Sequence, residues 1–279
     1  MAFGLMTRES MLENGVIRDT GKTCEKHEMP IYARKMPNHG NRETEFCWQC
    51  TTEYIQTKSN AVDIAYNNQS LLAKGYNVFY KESVLSKEIA SATLKNYKEH
   101  SAVDTQALNY AKRIIRDYVK GMEGNSLLQG PPGVGKSHLS ISIAKNINEM
   151  FKSYNQCKSV IFVSVTLLTK LIKDTFKYND QHAKYSQERI TKLLTDCDYL
   201  ILDDLGKEST TGNTIKPASD WTYTFLFSIL DNRTNTIINT NFSKAELVKI
   251  YDAALVDRLT KGAKNNIFKY PDTSESKRF

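Results

Sequence analysis

This 279-residue chain has no run approaching the roughly 18 consecutive apolar residues that a membrane-spanning helix requires, which excludes a helical integral membrane protein. It also lacks a recognisable secretory signal. The first apolar stretch is too short, and Arg8, Glu9 and Glu13 follow at once, so a cytoplasmic protein is expected. Cysteine is sparse. Five residues in a reducing compartment argue against a disulfide framework and leave metal binding or core packing as their uses. No internal repeat or low-complexity tract is found.

What is present fits an enzyme with one full domain and one smaller one, 40% of the residues being apolar and 25% charged. A net charge of +7 and a pI near 9.0 favour a nucleic-acid partner. Lys and Arg are scattered, however, and no aromatic-basic platform marks where single-stranded DNA would lie.

The strongest local signal is Gly130-Pro131-Pro132-Gly133-Val134-Gly135-Lys136-Ser137, a complete G-x-x-x-x-G-K-[ST] loop. It follows the apolar strand residues Ser126-Leu127-Leu128-Gln129 and opens an amphipathic helix with Leu139, Ile143 and Ile147 on one face. Gly130, Gly133 and Gly135 let backbone N–H groups turn inward around phosphate oxygens. Lys136 then supplies charge to the β and γ phosphates, Ser137 offers a hydroxyl to Mg²⁺, and the positive end of the helix dipole faces the same anion. ATP and Mg²⁺ are therefore the expected ligands.

A second motif supports the first. Tyr199-Leu200-Ile201-Leu202 is an apolar strand ending in Asp203-Asp204, the pattern of a Walker B strand. Asp203 is suited to hold Mg²⁺, and Asp204 to orient or deprotonate the attacking water.

The cysteines are unevenly distributed. Cys24-x-x-His27 and Cys47-x-x-Cys50 form two pairs at the spacing from which two side chains reach one tetrahedral ion. A structural zinc site of Cys₃His type is expected, with His39 as an alternative to His27. Such an ion would hold together a segment too short to build its own core. Cys157 and Cys197 are isolated and read as packing residues.

Three parts emerge: residues 1–56 with the metal candidate, residues 57–88 as a charged, amphipathic helical linker broken near Gly75, and residues 89–279 alternating strand and helix. Strands are expected at 160–163, 199–202, 236–238 and 267–270. Helices are expected around 167–176, 188–195, 221–230 and 245–261. Repeated βα units call for an α/β fold, a three-layer sandwich on a parallel sheet with ligands at the carboxyl ends of the strands.

Three further stretches carry a family resemblance: Leu202-Asp203-Asp204-Leu205-Gly206 with Glu208, Thr236-Ile237-Ile238-Asn239-Thr240-Asn241 after Asp231-Asn232-Arg233, and Thr93-Leu94-Lys95-Asn96-Tyr97. Over residues 89–279 the chain resembles the AAA+ ATPases of the DnaC/DnaI helicase-loader group, including phage versions. The resemblance implies that Asn241 is the sensor 1 residue, bridging the γ phosphate and the attacking water. It implies that Arg258 is an arginine finger acting on a neighbouring subunit, hence a homo-oligomer, and that Arg278 is the sensor 2 residue. Tyr97 lies where the family packs its adenine, a position that core packing also explains. DnaI-type loaders carry a zinc-bearing, helicase-binding segment ahead of the ATPase. The implied function is an ATP-dependent loader that delivers a DnaB-type replicative helicase to single-stranded DNA. A transposition helper of the IstB type and a nucleotide-dependent switch with little turnover are the alternatives.

Overall fold

A computed structural model of the chain describes residues 8–36, 42–176, 183–211 and 214–277. The chain divides into two compact units between Gln69 and Ser70. In the first, α1 (Arg8–Glu13) leads to an antiparallel sheet of β1 (Ile17–Thr23), β2 (Pro30–Met36) and β3 (Arg42–Cys47), in that order. Its strands are largely polar. Among the described residues, its buried apolar side chains are Ile17, Cys24, Tyr32, Ala33 and Cys47. So few buried apolar side chains make a scant core for a unit of this size. The helix α2 (Trp48–Lys74) follows, with no buried residue along its 27 positions.

The second unit begins on the last turn of α2. Gly75 ends that helix, and α3 (Tyr76–Glu82) and α4 (Lys87–Ala90) follow. Phe79 and Val84 are buried in the apolar core of this unit. A 3₁₀ turn, Leu94–Asn96, is capped by Thr93. The chain then continues through α5 (Ala102–Val119), β4 (Ser126–Gln129), α6 (Lys136–Ser153), β5 (Val160–Ser164), α7 (Val165–Phe176) and α8 (Gln187–Asp196). Next come β6 (Tyr199–Leu205), the two-residue strands β7 (Thr210–Thr211) and β8 (Thr214–Ile215), and α9 (Asp220–Asp231). The last elements are β9 (Thr236–Thr240), α10 (Lys244–Tyr251), α11 (Ala253–Thr260) and β10 (Ile267–Lys269).

The central sheet has the order β10-β4-β9-β6-β5, with every neighbouring pair parallel. Alternate residues of each strand point to opposite faces, and here both faces are apolar. Leu128, Phe162, Ile201 and Ile237 pack with α5 and α6, whereas Leu127, Ile161, Leu200 and Ile238 pack with α7 to α11. This is the three-layer P-loop sandwich on a parallel sheet that the sequence leads one to expect.

One helix differs from expectation. The stretch expected as a single helix over 245–261 is two, because Asp252 stands at φ 93° and its side chain accepts from Leu255 N, capping α11 afresh. Among the described residues no helix is long and apolar enough to cross a membrane.

Candidate nucleotide and metal sites

Because β4, β9 and β6 are neighbours in the sheet, the segments leaving their carboxyl ends meet. After β4 the phosphate loop turns into α6 at Gly135, which is left-handed at φ 99°. A Cβ there would also lie 2.9 Å from Tyr97 Cε2, so conformation and space both require glycine. Lys136 is only 4% exposed, and its Nζ donates to the carbonyls of Gly130 at 2.8 Å and Pro131 at 2.7 Å. A buried ammonium at the head of this loop is placed to meet phosphate oxygens.

At the end of β6 the pairing with β9 slips. Leu202 lies opposite Ile238 but Leu205 opposite Thr240, so β6 carries one extra residue, and Asp204 stands there at φ 57°. Bulges and left-handed non-glycine residues of this kind re-aim side chains beside functional sites. Asp203 is 4% exposed and accepts a hydrogen bond from Asn239 Nδ2. Burial, and then the adjacent Asp204 charge, push its carboxyl up to about 7, with Ser137 and Lys136 pulling the other way. Two crowded carboxylates and a serine hydroxyl are a hard-oxygen donor set whose repulsion a divalent cation relieves, so these residues fit Mg²⁺.

Lys136, Ser137, Asp204, Asn241 and Tyr97 line one cavity of about 350 Å³, together with Gly133 and Gly135. Tyr97 is nevertheless 7% exposed, with its hydroxyl 3.1 Å from that of Tyr270 and its ring edge against His138. Arg258 is not on that lining. Its Nε donates to Asp231 Oδ1 at 2.6 Å and its guanidinium lies 4.3 Å from the Phe227 ring centroid. Arg278 and His39 lie outside the described residues. A larger groove of about 940 Å³, bordered by Thr175, Gln187, Thr191 and Asn232, shares no residue with the phosphate motifs, which line the smaller cavity.

Sequence reasoning passed over Asn239. Its Nδ2 also lies 3.1 Å from Ser140 Oγ and 3.5 Å from Ser137 Oγ, linking the phosphate helix to Asp203. Asn239 lies near the carboxyl end of β9, and Asn241 follows just beyond it.

The metal candidates also converge. The turn between β1 and β2 carries Cys24 and His27, closed by Cys24 N donating to Met29 O and Glu28 N to Cys24 O, each at 2.8 Å. Cys47 ends β3, and Cys50 lies in the first turn of α2. The four ligand atoms all fall within 4.8 Å of one another. Cys24 and Cys50 sulfurs are 3.8 Å apart, and His27 Nδ1 is 3.8, 3.7 and 3.2 Å from the sulfurs of Cys24, Cys47 and Cys50. Sulfurs about 2.3 Å from a tetrahedral Zn²⁺ would stand at such separations. Backbone N–H groups of His27 and Lys26 draw the Cys24 thiol down to about 6, while desolvation and the neighbouring sulfurs push Cys50 up to about 11. Three thiolates in contact oppose one another, and a divalent ion removes the conflict, so the donor set fits zinc. The other ring nitrogen, His27 Nε2, meets Glu53 Oε1 at 3.0 Å.

The family described as IstB-like ATP binding protein matches residues 59–267. No curated protein matches. Among solved structures, the chain is similar to the crystal structure of the DnaC helicase loader at 22% identity, covering 67% of this chain and 100% of that one, with a TM-score of 0.49. It is similar to DnaI at 21% identity, covering 70% and 94%, with a TM-score of 0.46. Domain III of the Thermotoga maritima replication initiation protein DnaA is 17% identical over 68% of this chain and 69% of that one, with a TM-score of 0.48.

Proposed function

The chain belongs to the IstB-like ATP-binding protein family, and on that premise we propose that it is an ATP-dependent loader which binds a DnaB-type replicative helicase and delivers it to single-stranded DNA. In this reading Lys136 and the N–H groups of the phosphate loop hold the β and γ phosphates, and Ser137 and Asp203 hold Mg²⁺. Asp204 orients or deprotonates the attacking water, and Asn241 bridges that water and the γ phosphate. Arg258 completes the site of a neighbouring subunit, a role that its position off its own cavity lining supports, and the working form is then a homo-oligomer. Arg278 adds a further cation, and Tyr97 borders the adenine. Residues 1–56 are the helicase-contacting part, 57–88 the connection and 89–279 the ATPase.

The observation that carries the loader reading is the cluster of Cys24, His27, Cys47 and Cys50 in a unit of its own ahead of the nucleotide site. Zinc held there would supply the rigidity that a scant core does not, giving a protein-binding module that needs no nucleotide to fold. The family match supports a second reading, a transposition helper that remodels duplex DNA. Co-purification of the full chain with replicative helicases, followed by an assay of helicase transfer onto single-stranded DNA, separates them. Helicase capture and transfer are expected. Capture of a transposase with bending of duplex DNA would replace the loader by the helper, and an ATP-induced change of shape with no partner and no turnover would replace both by a switch.

A further inference from the structure

A phosphate loop turns its N–H groups inward, which leaves carbonyls to be satisfied from outside the loop. Here one such partner comes from the segment following β10. β10 pairs in parallel with β4, and the association continues beyond both strands: Tyr270 N donates to Gln129 O at 2.8 Å, and Lys277 N donates to Gly133 O at 3.0 Å. Gly133 stands at φ 87°, and a Cβ on it would lie 2.2 Å from Ser276 Oγ. The absence of a side chain at Gly133 thus admits this segment as well as the phosphate.

Lys277 is fastened at its other end too. Its Nζ pairs with Asp104 Oδ1 at 2.6 Å, donates to Lys98 O at 2.8 Å and lies 3.9 Å from the Tyr97 ring centroid. Asp104 is itself immobilised, accepting from His100 N, Ser101 N and Ser101 Oγ while it closes the capping box at the start of α5. The two side chains of the pair are 15% and 7% exposed, so salt and solvent screen it little. Burial alone would raise the Asp104 carboxyl, but Lys277 and the His100 N–H hold it below the usual carboxylate range.

We infer that residues 270–277 brace the phosphate loop from outside, with Lys277 as a positioning residue for polyphosphate binding. This rests on the nucleotide reading above. Lys277 also borders the nucleotide cavity, but its ammonium is anchored on Asp104 of α5 and its backbone N–H holds the Gly133 carbonyl, so it acts through the loop, keeping it in its phosphate-accepting shape. If losing the anchor cut the population of that shape to about a tenth, apparent affinity would fall about tenfold.

The test uses the full chain with two probes, MgATP and magnesium tripolyphosphate, the second having no base or sugar. Lys277→Ala is expected to weaken both about tenfold, and Lys277→Arg to recover most of the loss. Hydrogen exchange at the Lys277 amide is expected to slow when MgATP is added to the wild type, a response that a merely structural lysine would not give. Unchanged affinity in Lys277→Ala would overturn the brace. So would a loss confined to MgATP, since Lys277 would then act through Tyr97 and the base. Wild-type protein that bound neither probe would refute the nucleotide reading, and the brace with it.

Discussion

The two units of this chain are held together by different means. In the second, both faces of a five-stranded parallel sheet are covered by helices, and side chains such as Ile114, Leu139, Phe162 and Phe225 are essentially removed from water. In the first, three short strands bury a handful of apolar side chains among the described residues, and three sulfurs and an imidazole converge within 4.8 Å of one another. A unit with a large core tolerates the loss of its ligand, because its fold precedes the site. A unit whose site is its core does not.

The largest expected effect breaks the comparison at its weaker side. Stripping zinc with a chelator, or replacing Cys47 by Ser, should abolish exchange protection in β1 to β3 while leaving ATP affinity intact. Structural zinc contributes about 10–16 kcal/mol of apparent binding free energy, as much as the whole stability of an ordinary domain. Elemental analysis should find one zinc per chain, and strands that stay protected in metal-free protein would show that the small core suffices.

Next come two changes in the second unit, which should spare its fold. Asp204→Asn should lower ATP hydrolysis by roughly 10²–10⁴-fold with nucleotide binding nearly unchanged, since Asp203 would remain to hold Mg²⁺ in the proposed site. Retention of wild-type turnover would remove Asp204 from the role of water-orienting residue. Lys136→Ala should weaken ATP binding by about 2–5 kcal/mol, the usual cost of truncating a buried, hydrogen-bonded charge. Its melting temperature should stay close to wild type because the loop packs on a core that does not need it. Zinc content should remain one per chain in both variants. An unfolded Lys136→Ala protein would mean that the second unit, like the first, is built around its site.

The same contrast explains what was legible in the sequence. The phosphate loop and the Asp203-Asp204 strand announce themselves because their chemistry is contiguous, and the apolar runs 160–163, 199–202 and 236–238 are long and flanked by turns. The pairs Cys24/His27 and Cys47/Cys50 are legible for the same reason. The strands β1 to β3 left no such trace, because β1 and β3 are mostly polar and the apolar residues Ile31, Tyr32 and Ala33 of β2 are consecutive and do not alternate. Helix α5 was readable but unread, its Ala107, Ala111, Ile114 and Tyr118 recurring at helical spacing. The contact of Asn239 with Asp203 depends on β9 lying beside β6, and that of Lys277 with Gly133 on β10 lying beside β4, adjacencies that no local pattern encodes.

The smallest predicted effect sharpens the comparison by asking whether the four ligands alone hold the first unit. His27 turns Nδ1 toward the three sulfurs and Nε2 toward Glu53, so Nδ1 is the nitrogen that faces the ion and Nε2–H the donor to Glu53 Oε1. Lys26 Nζ, 2.5 Å from Glu53 Oε2, steadies the same carboxylate. Glu53 lies one turn beyond Cys50 on α2, and it therefore fixes the imidazole plane and the start of that helix together. Glu53→Ala should cost about 10–100-fold in zinc affinity, measured by competition with a chromogenic chelator. Glu53→Gln, which keeps an oxygen to accept from Nε2–H, should recover most of the loss. Lys26→Ala should cost less than Glu53→Ala, since water and salt screen a salt bridge this exposed. None of the three should alter ATP affinity. Equal zinc affinity in wild type and Glu53→Ala would mean that the geometry of β1 to β3 already holds His27 in place, and that the sheet contributes more to the first unit than its few buried side chains suggest.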